Sequence, residues 1–106
     1  MKMAKPHEGR IVTVEGQKDQ KTEIFLFTLS TCMWCNLGKK WLRDMGYRYS
    51  YLDLDTILLE EKNKLKSQLG ELIGEQPRFP FLVTDMNNWH SGYDTSVWEE
   101  ILSEEK

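Results

Sequence analysis

The sequence predicts an α/β fold, a mixed four-stranded sheet flanked by three helices, with an extra strand at the N-terminus. Three observations predict it. Segments of strand character alternate with segments whose apolar residues recur at helical spacing. The only two cysteines among the 106 residues, Cys32 and Cys35, stand at a strand-to-helix turn. A Pro-containing apolar run, Phe79 to Thr84, is followed by turn residues and a second short run, which reads as a hairpin.

The elements follow in chain order. Residues 1–9 read as a loose polar tail, and residues 10–106 as one domain. Arg10 to Glu15 carry Ile11, Val12, Thr13 and Val14, which are strand formers. This is the extra strand. Gly16 to Thr22 is a charged turn region. Glu23 to Leu29 is a nearly unbroken apolar run, as expected of a strand covered on both faces. The first helix spans Met33 to Met45. Trp34, Leu37, Trp41 and Met45 fall three and four apart and mark one face, which Leu42 widens. Trp41 is expected in the core, whereas Trp34, between the cysteines, is a candidate for contact with substrate. Gly46 ends the helix.

Tyr47 to Asp53 places Tyr47, Tyr49 and Tyr51 in alternation and predicts the next strand. Asp53 to Thr56 supplies capping residues, and the second helix runs from Ile57 to near Gly70, with Leu58, Leu65, Leu69 and Leu72 on one face. Its Glu60, Glu61, Lys62, Lys64 and Lys66 read as a solvated face. Gly74 and Pro77 break the pattern. The strand Phe79–Thr84, the turn Asp85–Asn88 and the strand Trp89–Ser91 follow. Ser96-Val97-Trp98-Glu99 fits a capping box and starts the last helix, which reaches Ser103. Two consecutive core strands flank the first helix and should be parallel, and the hairpin adds antiparallel strands.

Composition excludes several classes. The net charge of −3 gives no basic patch for nucleic acid. No apolar run approaches the ~20 residues of a membrane helix. The N-terminal residues are basic without an apolar stretch behind them, unlike a secretory signal, so the expected location is cytoplasmic. In a reducing cytoplasm two cysteines at this spacing point to chemistry more than to structure.

Cys32-Met33-Trp34-Cys35 has a physical logic. The first cysteine lies at the helix start, near unpaired backbone N–H groups and the positive end of the helix dipole. That environment favours the thiolate, which is the nucleophile. Cys35 follows one turn later on nearly the same face, so it can attack a mixed disulfide formed on Cys32 and release the product thiol. A structural disulfide would close a very small loop and constrain little of the unfolded chain. A zinc site needs two more ligands, and only His7 and His90 remain, without finger-like spacing; no metal is expected.

The order of elements and three local motifs resemble the glutaredoxin branch of the thioredoxin superfamily over Glu23 to Ser103, with features of NrdH-type redoxins. The motifs are Cys32-Met33-Trp34-Cys35, Arg78-Phe79-Pro80, which resembles the family's Thr-Val-Pro segment, and Ser91-Gly92-Tyr93-Asp94, which resembles its Gly-rich turn. The resemblance implies a thioredoxin-like, glutaredoxin-type fold with a cis bond before Pro80. It implies that Pro80 faces Cys32 and that the Phe79 backbone pairs with a bound peptide or glutathione. It also implies that Gly92, Tyr93 and Asp94, with Thr95 and Ser96 as further candidates, hold the thiol, beside Met33, Trp34 and Arg78. Met33 stands where many relatives have Pro. Leu29, Ser30 and Thr31 stand where a Lys often contacts a glutathione carboxylate, and Arg78 or Lys39 would have to supply that charge.

The implied activity is reduction of protein disulfides or mixed disulfides, Cys32 attacking and Cys35 resolving, by a monomer. No tightly bound cofactor is expected. Glutathione, another low-molecular-weight thiol or a reductase would supply electrons. Two alternatives stay open: an iron–sulfur cluster carrier using Cys32 with external thiols in a dimer, and a non-catalytic binding module.

Overall fold

A computed structural model describes residues 11–104 of the chain. The tail expected over residues 1–9, and Arg10 at the start of the first strand, lie outside the described residues. Five strands form one sheet: β1 (Val12–Val14), β2 (Ile24–Thr28), β3 (Tyr49–Asp53), β4 (Phe81–Thr84) and β5 (Trp89–Ser91), in the spatial order β1-β3-β2-β4-β5. Three helices, α1 (Met33–Asp44), α2 (Leu59–Ile73) and α3 (Thr95–Glu104), complete the fold.

Strands β2 and β3 are parallel and flank α1, with Leu26 beside Tyr51. Strand β4 runs antiparallel to β2, with Leu26 opposite Leu82, and β5 antiparallel to β4, with Leu82 opposite His90. The extra strand β1 pairs antiparallel with β3, Val12 opposite Tyr51, and Thr13 and Ser50 share a hydroxyl hydrogen bond of 2.9 Å. It therefore extends the sheet along its β3 edge, giving five strands where the core has four.

Side-chain alternation divides the sheet into two faces. Ile24, Leu26, Tyr49 and Leu82 point to one face and form a buried cluster with Leu42 of α1 and with Trp98 and Leu102 of α3. Phe25, Phe27, Leu52, Phe81 and Val83 point to the other. Leu52 and Phe81 are almost wholly buried there, and Phe81 meets Phe27 and stacks on Trp89 with centroids 5.8 Å apart. No residue of α2 enters the first cluster, although its Leu69 is buried.

Several boundaries and faces differ from the sequence reading. On α1 the buried row is Cys35, Gly38 and Leu42. Trp34, Leu37 and Met45 are exposed, and Trp41 lies half-buried against the cluster. Hydrophobicity alone favoured the Trp and Met row, but a glycine at position 38 lets the ring of Trp98 approach the helix. Strand β3 begins at Tyr49, because Tyr47 is buried beside Trp41, their rings stacked 6.2 Å apart, with its N–H bonded to Leu42 O at 3.0 Å. Leu54–Thr56 form a 3-10 turn, which delays α2 to Leu59. That helix continues through Gly70 to Ile73, ending at Gly74 in a left-handed cap. Leu58 and Leu72 are exposed, so only part of the expected α2 face is used. Strand β4 begins at Phe81, since Pro80 has no N–H to donate. Helix α3 is capped by Asp94, whose Oδ1 accepts the N–H groups of Ser96 at 3.1 Å and Val97 at 3.3 Å, so the cap lies two residues before the expected Ser96.

A Cβ on Gly38 would lie 2.8 Å from the Trp98 ring and 3.3 Å from Pro80 Cγ. Replacing a mid-helix glycine by alanine gains about 0.5–1 kcal/mol of backbone entropy, whereas overpacking against a fully buried ring costs about 1–3 kcal/mol. The clash wins. Gly38→Ala is expected to lower the stability by about 1–2 kcal/mol, read from the urea midpoint; a raised midpoint would show that the ring yields freely.

Candidate active site

Cys32 is the N-cap of α1. Its backbone is extended, with φ −86° and ψ 120°, and its Sγ accepts the N–H of Cys35 at 3.2 Å. The N–H of Cys32 donates to Leu29 O at 3.1 Å, and its own carbonyl receives Asn36 N–H at 3.0 Å. The sulfur thus occupies the place of a capping oxygen, facing the unpaired donors of the first turn. No acidic residue stands in that turn to oppose a negative sulfur.

The loop before Cys32 is tied down from outside. Ser30 donates its backbone N–H at 2.9 Å, and its hydroxyl, to the carboxylate of Asp55 in the 3-10 turn. These two bonds, the hydroxyl's first, hold the Asp55 carboxyl below its ordinary range. The exit of β3 therefore anchors the entry to α1.

The two cysteines are free thiols of unequal exposure. Cys32 is half-buried, whereas Cys35 is 0% exposed. Burial first, and then the hydrogen bond to Cys32, push the Cys35 thiol up from 9.0 to about 12. Cys32 keeps part of its surface open to solvent, whereas Cys35 is enclosed and held back as a protonated thiol.

Trp34, two residues after Cys32, lines a cleft of about 420 Å³ with Arg78, Phe79, His90, Ser91, Gly92, Tyr93 and Asp94; the cysteines themselves are outside that lining. Six of these were singled out from the sequence, and the fold brings them together from three segments. The Trp34 ring meets Tyr93 at 5.6 Å, joining the start of α1 to the cleft wall. Gly92 adopts φ +97°, a conformation that favours glycine; its N–H donates to Pro80 O at 3.0 Å. The stem of Arg78 runs 3.7 Å from where a Gly92 Cβ would stand. Ser91 Oγ accepts Arg78 N–H at 2.7 Å and fixes that backbone at the cleft mouth.

Other expected residues stand elsewhere. The Phe79–Pro80 bond is cis, as the resemblance implied. Pro80 itself is buried against Gly38 and does not line the cleft; its neighbour Phe79 does. Met33 is 63% exposed on the surface beside the cysteines and is likewise outside the cleft lining. Asp94 lines the cleft and caps α3 with the same carboxylate. Lys39 is not a cleft cation: it pairs with Asp53 at 3.0 Å and sits over the Tyr51 ring. Arg78 is the basic residue in the cleft wall.

His90 is a cleft residue that the motifs do not include, and Ser91 enters them only as the first residue of the Gly-rich turn. From the sequence alone His90 reads only as a zinc-ligand type without partners at the right spacing. Its position opposite Leu82 turns it toward the α1/α3 face, where its Nδ1 accepts Trp98 Nε1–H at 3.2 Å. Strand alternation from Leu82 was the signal that could have placed it. Among the described residues no group of three or more His, Cys, Asp or Glu is gathered as metal ligands would be.

A half-buried cysteine at a helix N-cap, a buried second cysteine one turn on and a cleft lined from the same helix start fit a thiol–disulfide redox site on a thioredoxin-like fold. The glutaredoxin family model matches residues 24–87, more than half of the chain. The chain belongs to the glutaredoxin family. Three solved structures are similar to it. A glutaredoxin from Methanosarcina mazei Go1 superposes with a TM-score of 0.70 at 23% identity, over 88% of this chain and 87% of that one. Methanoredoxin from Methanosarcina acetivorans gives 0.63 at 28% identity, over 76% and 83%. A glutaredoxin (grx-1) from Archaeoglobus fulgidus gives 0.66 at 23% identity, over 74% and 84%. No curated protein matches the chain.

The raised Cys35 thiol has two measurable consequences. Iodoacetamide is expected to alkylate Cys32 in the folded, reduced protein and to leave Cys35 unmodified near neutral pH. Stability should also fall as pH rises from 9.0 towards about 12. Over that window the unfolded chain gives up the Cys35 proton and the folded chain keeps it, so the unfolded state is favoured. Urea midpoints of wild type and Cys35→Ser, measured through that range, check this: the wild type should lose stability more steeply, and parallel curves would refute it.

Proposed function

We propose that the protein is a dithiol thiol–disulfide oxidoreductase that reduces protein disulfides and mixed disulfides. The observation that carries the reading is the asymmetry of the pair, with Cys32 half-buried at the helix N-cap and Cys35 wholly buried one turn behind it. The Cys32 thiolate attacks one sulfur of the substrate disulfide. A Cys32–substrate S–S bond forms, the substrate's own S–S bond breaks, and the leaving sulfur departs as a thiolate that takes a proton. Cys35, deprotonated, then attacks Cys32 Sγ. The Cys32–Cys35 disulfide forms and the second substrate sulfur leaves as a thiol. Two electrons pass to the substrate, and the chain is left oxidised.

Reduction of the Cys32–Cys35 disulfide then needs two electrons, from two molecules of a low-molecular-weight thiol or from a reductase. The cleft supports a thiol carrying a carboxylate and an amine, such as glutathione: Arg78 offers a bidentate cation and Asp94 a carboxylate. Trp34, Tyr93 and the Phe79 backbone offer stacking and strand-like pairing to a protein substrate. Among the described residues no helix is long and apolar enough to cross a membrane. The reading has a monomer at work in the cytoplasm, where the thiols return to the reduced state.

The test is turnover of a glutathione mixed disulfide coupled to glutathione reductase. The wild type is expected to turn over. Cys32→Ser should fall to the uncatalysed rate, and Cys35→Ser should keep mixed-disulfide turnover while losing reduction of protein disulfides. Full activity in Cys32→Ser would overturn the assignment. No turnover with glutathione, with reduction of a protein disulfide by dithiothreitol-primed enzyme intact, would move the electron supply to another thiol or to a protein reductase. A separate expectation concerns the cleft. Arg78→Ala should raise KM for the glutathione mixed disulfide several-fold with kcat nearly unchanged, because it removes binding common to ground and transition states.

A further inference from the structure

One turn along α1 from Cys35, β3 holds one ammonium group and β2 braces its carboxylate partner. Lys39 follows Cys35 by four residues, one turn along the same row of α1. Its Nζ lies 3.0 Å from Asp53 Oδ1 at the end of β3 and 3.9 Å from the centroid of the Tyr51 ring. Thr28, the fully buried last residue of β2, donates its hydroxyl to the same Asp53 oxygen. Tyr49 Oη donates to the Lys39 carbonyl at 3.1 Å. The side chains of Lys39 and Asp53 are each 16% exposed. The neighbouring Lys40–Asp44 pair is a contrast, with side chains 59% and 53% exposed; such a surface pair contributes little. Lys39 is a long, flexible side chain held in one place.

Resting on the dithiol reading, we propose that Lys39 is a positioning residue for the resolving step, a fixed positive charge behind Cys35 that favours its thiolate while Cys32 is bound to substrate.

The need for such a charge follows from the mechanism. Cys35 must lose its proton to attack, yet burial opposes that loss, and Cys32 opposes it further in the free enzyme. Once Cys32 is in a mixed disulfide its sulfur carries neither charge nor proton, and the Cys32 contribution ends. Burial remains. The groups left to favour the thiolate are the Leu29 backbone and the Lys39 charge. Asp53 and Thr28 hold Lys39 against β3 and β2, so the charge stays at the buried end of the site. The proton of Cys35 passes to solvent or to the departing substrate sulfur. Lys39 stays protonated and neither gains nor loses a bond.

Lys39 is the smallest of the influences on the Cys35 thiol, and Asp53 offsets part of its charge, so removing it raises that thiol only modestly. Thiolate fraction changes about tenfold per unit, but a more basic thiolate is also a better nucleophile, so the resolving rate should change about threefold per unit. The experiment uses an aromatic nitrobenzoate disulfide, each half of which absorbs visible light on release. Cys32 attack releases the first half, and Cys35 resolution releases the second. In Lys39→Gln, which retains an amide donor for Asp53, the second release is expected to slow by up to about threefold at every pH between about 6 and 9, with an unchanged log-linear slope. The first release should match the wild type, and Lys39→Arg should restore the second.

A second release as fast in Lys39→Gln as in the wild type overturns the proposal, as does equal slowing of both releases, which marks structural damage alone. If Lys39→Gln does not fold, Lys39→Met is measured against the same criteria. Absence of a second release from the wild type itself would instead overturn the dithiol reading, so the two failures are distinguishable.

Discussion

The close approach of Trp98 and Pro80 to Gly38 sets the geometry of everything else. The indole of α3 lies against α1 one turn beyond Cys35, and Pro80 closes on the same glycine from the start of β4. Trp98 also donates to His90 in β5 and packs edge-on against Tyr93 and Trp41. One fully buried side chain therefore fixes the distances between the helix that bears the cysteines, the Arg78–Pro80 segment and the turn at Gly92. Those three pieces make the site. A protein interior is close-packed, so a shift of the indole would move all three together.

Around that contact the two sulfurs are given opposite surroundings by very little sequence. Cys32 ends an extended loop and caps a helix, so it meets backbone donors and solvent. Three residues further, the same helix has turned Cys35 into the cluster-facing row with Gly38 and Leu42. The nucleophile and the resolving thiol thus differ through helix periodicity. Burial keeps Cys35 protonated until a bond to Cys32 brings its target close. The same periodicity brings Lys39 beneath it, where β2 and β3 supply the hydroxyl and carboxylate that hold the ammonium in place.

Much of the fold was legible in the sequence. Strand-forming residues, an unbroken apolar run and the tyrosine alternation located the strands, and the turn signals at Gly46, Gly74 and Asp85–Asn88 separated them, because these depend on a few neighbouring residues. The Cys32–Cys35 spacing, the Pro80 segment and Gly92 were legible for the same reason: each acts through local backbone geometry. The helix faces were less so. On α1 a count of apolar residues favours Trp34, Leu37 and Met45, but the buried row is the one whose small residues admit a large ring from another helix. On α2, Leu58 and Leu72 look like core residues and are exposed. The cap of α3 fell to Asp94, not to the Ser96 that a local pattern favoured, because the chain enters the helix directly from the Gly92 turn.

By itself the sequence determined the order of elements, the parallel pairing around α1 and the identity of the two thiols, since short-range periodicity and backbone preferences specify those. Tertiary structure alone decided how deep each thiol lies and that His90 and Ser91 join the cleft. It also decided that Lys39 faces Asp53, not a ligand carboxylate, and that β1 extends the β3 edge. Those outcomes depend on contacts between residues far apart in the chain, where packing volume and the pairing of partly buried charges decide among choices that local pattern leaves equal.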